Sequence, residues 1–144
     1  MAASDLARKL GLQPGQVIGL VDALPESADL LRASSPPGVT FVEKPGEARC
    51  DLLFFWPRQL SGLIEHFSDL QFDILPNGAI WVVIPKKKYA QELGIDFTWE
   101  QMQAAGLQTD LVDNKVATFS EQEYATRFVI RKELRGKYPV TGNS

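Results

Sequence analysis

The sequence predicts a three-layer α/β sandwich on a mostly parallel sheet of about six strands, closed by an antiparallel strand in a C-terminal hairpin. Three observations carry that expectation. Short apolar runs alternate with segments of helical periodicity, the order that gives a parallel sheet with helices on both faces. The runs QVIGLVD (16–22), DLLFFW (51–56) and AIWVVIP (79–85) are apolar nearly throughout, as strands covered on both faces must be. Near the C-terminus, Tyr124, Thr126, Phe128 and Ile130 alternate with Ala125, Arg127, Val129 and Arg131. That period of two, after a short polar connection, reads as a hairpin.

Each element follows from local chemistry. SDLARKL places Leu6 and Leu10 on one helix face, and Gly11 suits the left-handed position just past its end. Pro14-Gly15 turns the chain into the first strand. Pro25 fits the first turn of a helix through ESADLLRA, which SSPPG breaks. VTFVE (39–43) is a second strand rich in β-branched and aromatic residues, followed by a loop, KPGEARC. After the third strand, Pro57 is expected to start a helix whose stripe is Leu60, Leu63, Ile64, Phe67 and Leu70. LPNG (75–78) reads as a turn before the fourth strand. Thr98 with Gln101 matches a capping box on a helix stopped by Gly106. A single domain over residues 1–132 is expected, with 133–144 as a loose tail.

Composition narrows the function. The chain has 144 residues, 15 basic and 18 acidic, for a net charge of −3. Nucleic acid is therefore an unfavoured partner, since general binders are strongly basic. One cysteine, Cys50, and one histidine, His66, rule out an internal disulfide and a Cys/His zinc cluster. No run approaches the roughly 20 apolar residues of a spanning helix, and MAASDLARKL lacks a secretory pattern. A cytoplasmic protein without membrane association is expected. G-x-S-x-G, H-E-x-x-H and P-loop signatures are absent.

The succession of elements resembles a reduced methyltransferase-type Rossmann fold. LQPGQVIGLVD resembles the turn and first strand of such domains, LPNGAIWVVIP their later turn and buried strand, and the closing hairpin their antiparallel last strand. More narrowly, PGQVIGLVDALPES, WVVIPKK and YATRFV together resemble a small bacterial family of domains of unknown function. The resemblance implies a ligand at the carboxyl ends of the strands. One departure is decisive for the sequence reading: where methyltransferases carry a glycine-rich turn, this chain has Asp22-Ala23-Leu24-Pro25. Glycine allows positive φ and leaves room for a cofactor, whereas proline fixes φ and removes a donor. The side chains at positions 22 to 25 are thus expected to crowd the cofactor position, with Leu24 adding bulk.

Five residues stand out as candidate ligand contacts. Asp22 ends the first strand, where it can meet a ligand hydroxyl or amine, or cap the following helix. Glu43 ends the second strand, where an acid can hold a ribose hydroxyl. Trp56 ends the third strand and can stack on a flat ring, or simply pack. Lys86 and Lys87, with Lys88, follow the fourth strand and can attract a phosphate or carboxylate, or merely stay solvated. Arg127 and Arg131 share a strand face as a further basic pair. His66 reads as a boundary residue of its helix, Cys50 as a small buried side chain, and Trp81 as core.

The glycine-free turn and the lack of a catalytic constellation favour a non-catalytic module with no bound cofactor, binding a protein or a small anionic ligand. The alternative is an S-adenosylmethionine-dependent methyltransferase with an atypical, glycine-free cofactor loop. Self-association through the edge strand or the hairpin is a further expectation.

Overall fold

The structure, a computed structural model, describes residues 2–43 and 49–138. Six strands form one sheet: β1 (Val17–Val21), β2 (Thr40–Val42), β3 (Cys50–Phe55), β4 (Ile74–Pro85), β5 (Leu111–Thr118) and β6 (Glu123–Ile130). Their order is β2-β1-β3-β4-β6-β5. β1 runs parallel to β2 and β3, and β3 parallel to β4. Only β6 is antiparallel to its neighbours, β4 and β5. The expected α/β architecture and its antiparallel closing strand are both present.

The unbroken apolar runs have a direct cause. Successive side chains on a strand point to opposite faces, and here both faces are covered. Leu52, Phe54, Trp81 and Val83 pack with Leu6 and Leu10 of helix α1 (Ala2–Leu10) and Ala28 and Leu31 of α2 (Pro25–Ser34). Leu53, Phe55, Ile80, Val82 and Ile84 pack on the other face, with Leu63, Phe67 and Leu70 of α3 (Leu63–Leu70) and Met102 and Ala105 of α5 (Trp99–Leu107). A four-residue helix, α4 (Lys87–Ala90), follows β4. Thr98 and Gln101 make the expected capping box at the start of α5. Close approach requires glycine at positions 106 and 19. A Cβ on Gly106 would lie 2.5 Å from Phe128 Cε2, and one on Gly19 would lie 2.8 Å from Cys50 Sγ. Burial, and then the charges of Asp73 and Asp51, push the Cys50 thiol up to about 12.

Three elements differ from the sequence expectation. LPNG is not a free turn, because β4 begins at Ile74 and residues 75–78 bulge where the pairing shifts from Cys50–Ile74 to Leu52–Ala79. A Cβ on Gly78 would meet the Asp51 carbonyl at 2.8 Å, so glycine serves that close approach rather than a turn. Helix α3 starts at Leu63, six residues after Pro57. Gly62 breaks the helical pattern with φ 75°, and Asp96 Oδ1 holds the Leu60 N–H at 2.8 Å. The expected loose tail contains a 3-10 helix over Lys132–Lys137 and a buried Tyr138, stacked on Phe72 with ring centroids 5.3 Å apart. Residues 44–48 of the KPGEARC loop, and 139–144 of the tail, lie outside the described residues.

The chain places β2 on one side of β1 and then returns to place β3 on the other. Strand order therefore reverses between β1 and β3. In open α/β sheets the crevice at the carboxyl ends of such a pair is where ligands bind.

Candidate functional site

A cavity of about 510 Å³ lies at that reversal point, within the range of small-molecule sites, which run from roughly 300 to 1,000 Å³. Its walls are the turn after β1 (Asp22, Ala23), the end of β3 (Phe55, Trp56), the irregular segment that follows (Pro57, Arg58, Gln59, Ser61, Gly62) and the first turns of α3 (Leu63, His66). The segment that sequence reasoning assigned to a helix is thus a wall of the cavity.

Asp22 has φ 57°, and among the described residues it is the one non-glycine in the left-handed region. Asp tolerates that region better than most residues, because its short polar side chain can bond locally. The turn therefore takes a backbone conformation that glycine favours without having a glycine. Arg58 Nη2 donates to the Asp22 carbonyl at 3.4 Å, tying the two walls together. The helix-capping role weighed for the Asp22 side chain is not made: Leu24 holds the N-cap position of α2, with no side-chain hydrogen bond.

Leu24 and Pro25 do not line this cavity. They face a second one, of about 550 Å³, with Leu30, Leu93, Ser27, Glu26 and Ser120 to Glu123. Of the four residues expected to crowd the cofactor, the two bulkier at the helix start are turned away for a geometric reason. The left-handed residue at position 22 swings the chain so that only Asp22 and Ala23 border the crevice. A much smaller cavity of about 20 Å³ shares Trp56, Pro57 and Arg58 with the first and Leu24, Leu93 and Glu123 with the second.

Of the five candidates, Asp22 and Trp56 come together at the first cavity. Trp56 is 2% exposed, packed at 6.3 Å from Phe54 and 6.2 Å from Phe119, so it forms the floor rather than an open stacking platform. Glu43 is exposed and pairs with Arg32 at 3.1 Å, away from the cavity lining. Lys86 is half-buried and Lys87 exposed, and neither lines any of these cavities. Arg127 lines a separate basic depression with Arg8, Lys9 and Lys115, while Arg131 donates to the Leu107 carbonyl at 3.1 Å.

Sequence reasoning missed Arg58 and the Ser27–Glu123 pair. It read His66 as a helix-boundary residue, yet His66 lies on the cavity wall, its ring edge-on to Phe55 at 4.5 Å. Spacing gave no signal for Arg58, since it depends on where the helix starts. Ser27 donates to Glu123 Oε1 at 2.6 Å across 96 residues of sequence, a contact that only the fold creates.

No protein-family model matches the chain, and no curated protein matches it. Solved structures do share its fold. A candidate type 11 methyltransferase from Sulfolobus solfataricus superposes with a TM-score of 0.63 at 9% identity, over 92% of this chain and 93% of that one. A TehB-like SAM-dependent methyltransferase from Corynebacterium glutamicum superposes with 0.54 at 10% identity, over 90% and 87%. LepI in complex with SAM superposes with 0.50 at 17% identity; there the chain spans 90% of itself but only 40% of LepI. The fold is thus the methyltransferase-like Rossmann fold. These neighbours also correct the expectation of no cofactor. Its steric premise does not hold for Leu24 and Pro25, and LepI, which shares the fold over 40% of its length, is solved in complex with SAM. No helix among the described residues is long and apolar enough to cross a membrane.

Proposed function

We propose that the chain is an S-adenosylmethionine-dependent methyltransferase whose nucleoside site is the cavity between the ends of β1 and β3. The observation that carries this reading is the cavity's place at the strand-order reversal, behind a turn that Asp22 holds at φ 57°. The lining suits the group chemically. S-adenosylmethionine presents a carboxylate, an ammonium, ribose hydroxyls and a flat base. Arg58 offers a guanidinium for the carboxylate, and Asp22 an acceptor for the ammonium or a hydroxyl. Ala23 leaves the crevice open at the turn. Ser61 and Gly62 supply polar backbone on the opposite wall.

When bound there, the sulfonium supplies an activated methyl group for transfer to a nucleophile. The chain's own contribution is binding and exclusion of water. Trp56 and Phe55 close the floor, and Arg58, bonded to the Asp22 carbonyl, holds the two walls at a set distance.

Calorimetric titration with S-adenosylmethionine and S-adenosylhomocysteine tests the reading. Micromolar binding of both is expected, weakened about tenfold, or roughly 1.4 kcal/mol, by Asp22→Ala and by Arg58→Ala. Absence of heat and of any NMR perturbation near Asp22 at about 1 mM ligand, where even weak sites fill, would overturn it.

A further inference from the structure

We propose that Glu123 and Trp56 form a receptor for the hydroxyl group of an uncharged alcohol or phenol seated in the second cavity. Glu123 opens β6 and is 5% exposed. Its Oε1 accepts hydrogen bonds from Ser27 Oγ at 2.6 Å and Ser120 Oγ at 3.2 Å. Its Oε2 is buried and has no partner among the described residues, and the same holds for Trp56 Nε1. Buried polar atoms are nearly always paired, so two orphans on residues that line the same cavity point to a missing group.

Both residues line the cavity of about 20 Å³, enough for one oxygen atom, since a water needs roughly 10 to 15 Å³. The group that fits must accept from the indole N–H, which only donates, and donate to the carboxylate oxygen. A hydroxyl does both. An ammonium cannot accept; a carboxylate or an ether cannot donate. The body of the ligand has room in the adjoining cavity of about 550 Å³, where Leu24, Pro25, Leu30 and Leu93 supply apolar wall. Glu26 and Glu121 on that wall disfavour an anion. Trp56 also floors the first cavity, but its indole N–H and Glu123 carry this site, which does not depend on nucleoside binding there.

The chain has three tryptophans, hence three indole N–H resonances in a ¹⁵N-labelled sample. Trp56→Phe assigns the one of interest by its loss. Phenol is expected to shift that resonance saturably, anisole to leave it in place, and Glu123→Gln to weaken phenol binding about tenfold. Equal shifts from phenol and anisole would show shape filling without hydroxyl recognition and would overturn the proposal. So would an indole resonance unmoved by phenol but in contact with a long-lived water, because the pair would then serve only a structural water. If Trp56→Phe fails to fold, Trp81→Phe and Trp99→Phe assign the resonance by elimination, so the wild-type phenol and anisole arms stand. Phenol binding without S-adenosylmethionine binding, or the reverse, separates this site from the nucleoside reading.

Discussion

Two tryptophans on one sheet show how differently its parts are finished. Trp56 and Trp81 are both buried, at 2% and 1% exposure. The Trp81 indole donates to the Leu10 carbonyl at 3.1 Å, which ties α1 onto β4. The Trp56 indole, at the carboxyl end of β3, donates to nothing among the described residues. The same contrast runs through the neighbouring backbone. At Gly106 the side chain is left out because the Phe128 ring fills the space. At Asp22 a side chain is kept although the backbone favours glycine. Away from the rim, the buried side-chain polar atoms of the described residues all have partners. At the rim, an orphan donor, an orphan acceptor and a strained turn surround three cavities. Unfinished polar groups and strained backbone gather where a ligand completes them.

The contrast breaks first at Gly106. Gly106→Ala drives a Cβ to within 2.5 Å of a fully buried ring, and overpacking of that kind costs about 3 kcal/mol. Urea denaturation should show that loss, while ligand binding to the folded fraction stays as in the wild type. Trp81→Phe is the next largest. It removes the bond to the Leu10 carbonyl and leaves a void, a loss of about 2 kcal/mol by the same measurement. A neutral Trp81→Phe would erase the distinction between the two indoles.

The fold was legible in the sequence because burial on both faces leaves an unmistakable mark: AIWVVIP has no polar residue for solvent to meet. The capping box at Thr98 was equally plain, since its partners sit three residues apart. The site was far less so. The turn at 22–25 could be seen to lack glycine, but not that Asp22 would adopt glycine's conformation and carry Leu24 and Pro25 out of the crevice. The Leu60–Ile64 stripe suggested a longer helix. Tertiary contacts overrode it, as Gly62 went left-handed and Asp96 took the Leu60 N–H. Long-range pairs such as Ser27–Glu123 leave no periodic trace at all.

Asp110, which precedes β5 at the amino end of the sheet, gives a polar group of the finished kind. Its carboxyl is held below the usual carboxylate range, first by the Tyr138 hydroxyl at 2.6 Å and then by the Lys137 ammonium at 2.9 Å. A depressed value means the stabilisation is present above about pH 4, the unfolded value, and is lost as pH falls through the folded one. Tyr138→Phe keeps the stacking on Phe72 and should cost about 1 kcal/mol at pH 7. The gap to wild type should close on acidification below about pH 4. Denaturation curves across that range check it; a gap constant with pH would assign the loss to packing instead.

Trp56→Phe carries the smallest expected change and the sharpest discrimination. Replacing the indole by a phenyl ring leaves a small void, which destabilises. It also removes a buried donor with no partner, whose desolvation costs roughly 1 to 3 kcal/mol in the folded state. The two effects oppose each other, so the net change in the ligand-free protein should stay within about 1 kcal/mol, well below that of Trp81→Phe. If the two substitutions cost the same, the Trp56 N–H is already satisfied, by a trapped water, and the rim is as complete as the rest of the sheet. If they differ, the indole donor at the end of β3 is held in reserve, and with a hydroxyl ligand bound the order should narrow, because the ligand then restores to Trp56 the partner that Leu10 gives Trp81.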